Sequence, residues 1–169
     1  MDDGRLMAAA HICRWRGWTK RHYSILEHMN VGAEVLHQMG APENVQRWFL
    51  LHDMHETEIC GDIPTPDKAR YCNIQFDLAC EDYDNTLRDT YGDLVRLTAA
   101  ERLMIKDMDE AMAIMEHALV SLRICPDVPR PEWNETQRRI GRHISQKATL
   151  PARVLVAQWH RNAKRLGMW

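Results

Sequence analysis

Cysteine is scarce, and what there is forms no pattern. The five cysteines, at 13, 60, 72, 80 and 125, include no CxxC pair and no recurring interval. That argues against a disulfide framework or a thiolate zinc site and fits a reducing compartment. An excess of positive charge is also missing. Lys and Arg total 22 against 24 acids, a net charge of −2, whereas a general nucleic-acid binder is usually clearly basic, so no nucleic-acid partner is expected. Long apolar runs are absent as well. Segments such as WFLL and VLVA fall far below the roughly 20 residues needed to cross a bilayer. The stretch MDDGRLMAAAHICRW is acidic at its tip and holds no apolar run of signal-peptide length. A soluble cytoplasmic protein without a membrane partner is expected. Period-two alternation, internal repeats and low-complexity tracts are lacking too, which leaves little room for a sheet, a solenoid or a disordered tail.

What remains is helical periodicity. The 169 residues, 45% apolar and 27% charged, have the balance of one globular domain spanning 1–169 that buries a core unaided. Ser24 with Glu27 three places on reads as a capping box, and Gly40 as the residue that ends that helix. Pro42 suits the first turn of a second helix, predicted to run unbroken through PENVQRWFLLHDMHETEIC until Gly61. GDIPTP is a loop, because prolines on either side of a threonine cannot continue a helix. A polar helix is predicted over about 67–91. Another follows the capping box Thr98–Glu101, and two more occupy about 132–146 and 151–166. The predicted fold class is all-α.

The segment LLHDMHETEIC concentrates ionisable groups in a leucine-led helix. His52 and Glu56 are four apart and Asp53 lies about 100° round the axis from His52. Imidazole and carboxylate together suit a borderline divalent cation, with Zn, Co or Mn the candidates and Mg possible alongside substrate phosphates. His28 interrupts the apolar face of the preceding helix and is the candidate third ligand. Asp109, inside LMIKDMDEAMAIM, is the candidate fourth, since a buried carboxylate there needs a compensating cation or donors. Asp107 competes for that role but faces another side of the helix. Singly, each histidine is ordinarily a hydrogen-bonded core residue. Their recurrence on three successive predicted helices favours a metal site.

These residues, as His28, His52-Asp53 and Asp109, resemble the H…HD…D pattern of the HD-domain phosphohydrolases. RW at 14–15, YSILEHM at 23–29, LLHDMHE at 50–56, GDIPTPDK at 61–68 and KDMDEA at 106–111 resemble the bacterial 5′-deoxynucleotidase branch. They resemble equally the small phage dATP triphosphohydrolases. The resemblance covers roughly residues 11–122 and implies an HD-domain helical bundle. It implies metal ligation by His28, His52, Asp53 and Asp109, and catalytic roles for Glu56 and Asp62 in managing the attacking water and the leaving oxygen. It further implies phosphate contacts from Arg14 and Lys68, and an aromatic wall from Trp15 that excludes a 2′-hydroxyl. Trp18, Ile25 and Pro66 are candidate substrate contacts, and core packing is the competing account of Ile25. Lys20, Arg21 and Arg70 are further candidate cations. His55 points away from the His52–Glu56 face.

Two reactions fit this set. A nucleotidase removes a 5′-monophosphate from a deoxynucleotide, and a triphosphohydrolase releases triphosphate from a dNTP. The short chain and its CRWRGWTKRHYSILEH entry resemble the phage proteins more than the longer bacterial nucleotidases, and that resemblance implies the second, with dATP the expected substrate; dNMP hydrolysis is the alternative. A nucleotide sensor without turnover is a reading of a different class, and a di-iron oxygenase would need more histidine ligands than the chain offers. The resemblance also implies self-association into a dimer or hexamer, and a host cytoplasm if the gene is carried by a phage.

Overall fold

The computed structural model describes residues 1–59, 61–63, 72–122, 133–145 and 149–168. Among them the fold is all-α, with two isolated bridges in place of any strand. The helices are α1 (Asp3–His11), α2 (Ile25–Gln38), α3 (Glu43–Phe49), α4 (Met54–Ile59), α5 (Ile74–Tyr91), α6 (Ala99–Leu119), α7 (Glu135–Ser145) and α8 (Ala152–Arg165). No described helix is long and apolar enough to cross a membrane.

Helix α2 is the axis of the molecule. Ten of its residues from Ile25 to Val35 are buried with Leu36, so it is enclosed on all sides instead of showing one apolar stripe. Helices α1, α3, α6, α7 and α8 pack around it. Two of its buried polar side chains are held internally: Arg21 grips Glu27 through two 2.9 Å hydrogen bonds, and Asn30 donates to the Leu155 carbonyl. Arg21 is thereby committed to the core and is not a spare cation for substrate. Across the bundle, Trp159 Nε1 donates to the Leu50 carbonyl at 3.0 Å, tying α8 to the end of α3.

The α2–α3 contact is unusually close, and one glycine permits it. A Cβ on Gly32 would stand 2.1 Å from the Phe49 ring. With hydrogen in that place, Phe49 tucks under α2, one turn from His28.

Three sequence expectations change. The helix predicted from Pro42 to Cys60 breaks at residues 50–53, where the backbone tightens: Leu51 N–H donates to Trp48, Met54 to Leu51 and Glu56 to Asp53, each three residues back. His52 and Asp53 thus sit on a turn between α3 and α4. Among the described residues the polar helix runs from Ile74, where Asn73 caps the Gln75 and Phe76 N–H groups, and the start predicted near 67 lies outside them. Helix α1, capped by Asp2, was not anticipated. The reciprocal Thr98–Glu101 box forms as the spacing predicts, whereas at Ser24 only half of the predicted box forms: Ser24 accepts the Glu27 N–H, and the Glu27 carboxylate turns to Arg21 instead. Residues 64–71, with Pro66, Lys68 and Arg70, lie outside the described residues.

Candidate metal centre

Three elements converge beside Phe49. His28 comes from α2, His52 and Asp53 from the turn after α3, and Asp109 from the middle of α6. His28 Nε2 lies 3.4 Å from His52 Nε2, 3.3 Å from Asp109 Oδ1 and 3.6 Å from Asp53 Oδ2. His52 Nε2 lies 3.2 Å from Asp53 Oδ1 and 3.8 Å from Asp109 Oδ1. Donors on the corners of a tetrahedron with bonds of about 2.0–2.1 Å are about 3.3–3.4 Å apart. These separations fall close to that value.

The opposite ring nitrogens decide the protonation. His28 Nδ1 faces Glu116 Oε1 at 2.6 Å, and His52 Nδ1 faces the Phe49 carbonyl at 2.9 Å. A carboxylate and a carbonyl can only accept, so both Nδ1 atoms carry hydrogen. Each Nε2 then presents either a lone pair or an added proton toward two carboxylates. Burial and the Arg14 guanidinium oppose a charged His28, but Glu116 and Asp109 outweigh them and raise its pKa to about 10. His52 is raised too, its burial overcome by Asp53 and Asp109. Asp109, expected to be buried, has a side chain nearly half exposed; its partial burial resists ionisation, but hydrogen bonds from both imidazoles prevail and hold it well below the usual carboxylate range. The cluster therefore demands positive charge at the point where the Nε2 atoms meet. His28, His52 and Asp109 could hold a metal ion there, with Asp53 alongside.

Glu116 is the residue that sequence reading missed. It is fully buried, seven residues after Asp109 on the same face of α6, and it bonds both His28 and Arg14 Nε, the latter at 3.2 Å. A glutamate two turns beyond a candidate ligand was the available signal.

Arg14 is more occupied than the sequence suggests. Its Nη1 lies 3.0 Å from Asp53 Oδ2 and 3.4 Å from Asp62 Oδ1, while Nε meets Glu116. Three carboxylates share one buried guanidinium through Nη1 and Nε, and among the described residues Nη2 has no ion pair or hydrogen bond. The arginine arrives on a tight turn in which Trp15, Arg16 and Gly17 all have positive φ, at 58°, 53° and 78°. For two non-glycine residues that conformation is strained. Asp62 restrains it by accepting the Trp15 N–H at 2.6 Å. The turn is also stitched to the end of α6: Lys20 N–H donates to Val120, and Leu122 N–H to Trp18.

Asp62 is largely buried, and that burial raises its carboxyl above the ordinary value despite Arg14 and the Trp15 N–H. Glu56 is buried on α4, with carboxylate or imidazole atoms of Asp53 and His55 within 4.8 Å. His55 bonds Asp84 of α5 at 3.2 Å. Trp15 packs edge-on to His117, its ring 5.4 Å away. Trp18 is exposed and remains open to a ligand. Ile25 is fully buried in the core and offers a ligand no surface, so packing accounts for it. Lys20 extends along the surface toward the Leu119 carbonyl. Asp107 is exposed, leaving Asp109 as the aspartate of α6 in the cluster.

Comparison with protein-family models and with curated proteins gave no match to the chain.

Proposed function

We propose that the protein is a metal-dependent hydrolase of deoxynucleotides built on an HD-domain bundle, acting on a dNTP to release deoxynucleoside and triphosphate. The observation that carries this reading is the meeting of the His28 and His52 Nε2 atoms with Asp109 and Asp53, with both Nδ1 atoms fixed by acceptors. A divalent cation held by these four residues would lower the pKa of water and polarise a phosphoryl oxygen. The remaining steps belong to the chain's own groups. Glu56, buried beside Asp53, orients the attacking water and takes its proton. Asp62, whose burial favours its acid form, delivers a proton to the departing oxygen. Arg14 Nη2 meets the phosphoryl group while Trp15 walls the sugar. Preference for dATP rests on the resemblance of the entry segment alone.

Incubation of the metal-loaded protein with the four dNTPs and four dNMPs, with products separated by ion exchange, tests the reading. Triphosphate and deoxynucleoside are expected from dATP. Orthophosphate released from dNMPs alone would make it a 5′-deoxynucleotidase, and no product from any nucleotide would end the hydrolase reading.

A further inference from the structure

A cavity of about 540 Å³ opens between the end of α5 and the start of α6. Trp48 of α3 contributes to its wall, and it is lined by Arg88, Arg96 and Arg102 together with Asp89 and Asp93. The arginines are weakly neutralised. The Arg88 guanidinium lies 4.5 Å above the Trp48 ring and reaches Asp84 only at 3.9 Å. Arg96 and Asp93 form a 3.4 Å pair with both side chains more than four-fifths exposed, where water screens the attraction. Arg102 has no ion pair or side-chain hydrogen bond among the described residues. It also stands at the start of α6, where the helix dipole is positive and a cation is disfavoured. An anion bound there would relieve both charges.

The cavity is not remote from the metal centre. Arg88 is four residues after Asp84, the partner of His55, and Ile105 is four residues before Asp109. On α6 a cavity residue and a residue of the centre are thus about 6 Å of helix apart, and on α5 the same rise separates Arg88 from the partner of His55. Arg102, Ile105 and Asp109, at intervals of three and four residues, follow one another along the same side of α6. Arg14, with three carboxylates around it, cannot neutralise a phosphate chain as well.

We propose that this basic cavity is a binding site for a phosphate chain, taking the phosphates beyond the bond that is cut; the link to substrate rests on the triphosphohydrolase reading. Guanidinium groups suit this ligand because their planar forks match phosphate oxygens.

The full chain and its R96A/R102A variant, shown to be equally folded by circular dichroism, are titrated calorimetrically with inorganic tripolyphosphate. The KM values for dATP and dAMP are measured on both. The variant is expected to bind tripolyphosphate about tenfold more weakly, a loss of about 1.4 kcal/mol, and to show a raised KM for dATP with that for dAMP unmoved. Unchanged tripolyphosphate affinity overturns the site, even if the wild type hydrolyses dATP normally. Equal rises in KM for dATP and dAMP also overturn it. Weakened tripolyphosphate binding in a protein that turns over no nucleotide upholds the site and removes the hydrolase reading instead.

Discussion

Glu116 Oε1 lies 2.6 Å from His28 Nδ1, and the same carboxylate grips Arg14 through its other oxygen. One buried acid on α6 thus sets the tautomer of a candidate ligand on α2 and the position of the arginine on the entry turn. Glu116→Gln keeps the shape but weakens the acceptor opposite His28. Cation affinity is expected to fall by about 10–100-fold, as for other residues that orient metal-binding histidines. Titration with Zn or Co by calorimetry reads this directly. Glu116→Ala also strips Arg14 of one of three partners. A loss at the low end of the roughly 3–5 kcal/mol typical of a broken buried pair is expected in denaturant melts, because Asp53 and Asp62 remain.

Cation binding should expel protons. His28, raised to about 10 by Glu116 and Asp109 against its burial, carries its extra proton at neutral pH in a chelator-treated protein. Because the folded pKa exceeds the ordinary 6.5, that charge contributes stability fully below about pH 6.5, and the contribution fades as pH rises through about 10. A divalent cation must displace the proton, so affinity rises with pH and binding acidifies a weakly buffered solution. Zn, Co or Mn should raise the melting temperature of the wild type and leave that of Asp109→Ala unmoved. A wild type indifferent to all three would remove the metal centre.

The parts of this arrangement legible in the sequence were those written locally. Ser24 and Thr98 announced helix starts because an N-cap hydrogen bond is closed within four residues. His28, His52, Asp53 and Asp109 stood out because ionisable groups interrupt apolar faces. The break at 50–53 did not show, because Leu-Leu-His-Asp has no helix breaker; the turn is imposed by packing, with Leu50 and Leu51 fully buried. Glu116 was hidden for a related reason. On α6 it is one acid among several, and only the three-dimensional approach of Arg14 and His28 distinguishes it from Glu110, which faces solvent. The Arg14 network was likewise illegible, since it ties one turn to Asp53, Asp62 and Glu116, all far along the chain.

Gly32 is the hinge between packing and chemistry. Its missing side chain lets the Phe49 ring lie where a Cβ would stand at 2.1 Å, and that ring sits 4.4 Å from His52 and 5.6 Å from His28. Gly32→Ala must push α3 outward, since the obstructing atoms are a ring wedged in the core and not a flexible tip. A destabilisation of about 1–3 kcal/mol is expected from overpacking. The distinctive consequence is a parallel loss of cation affinity, because the displaced turn carries His52 and Asp53. Stability lost with affinity intact would show that the centre does not depend on this contact.

Asp62 allows binding and turnover to be separated. It lies outside the His28–His52–Asp109 cluster, so Asp62→Asn should leave cation-induced stabilisation unchanged. The amide oxygen introduced by that change can still accept the Trp15 N–H that restrains the left-handed turn, so the entry segment keeps its place. What the amide cannot do is transfer a proton. If Asp62 acts as the acid, Asp62→Asn lowers kcat on a dNTP by about 10²–10⁴-fold with KM little changed. Asp62→Ala loses the restraint as well, frees Trp15 and Arg16 from positive φ, and should raise KM in addition. Were the Asp62→Asn variant to retain full turnover, Asp62 would be reduced to a brace for the turn, and the proton would have to come from Glu56 or from water. The pair of variants therefore distinguishes an acid from a strut: the acid role predicts a fall in kcat at little-changed KM, whereas loss of the 3.4 Å contact to the Arg14 guanidinium predicts a raised KM.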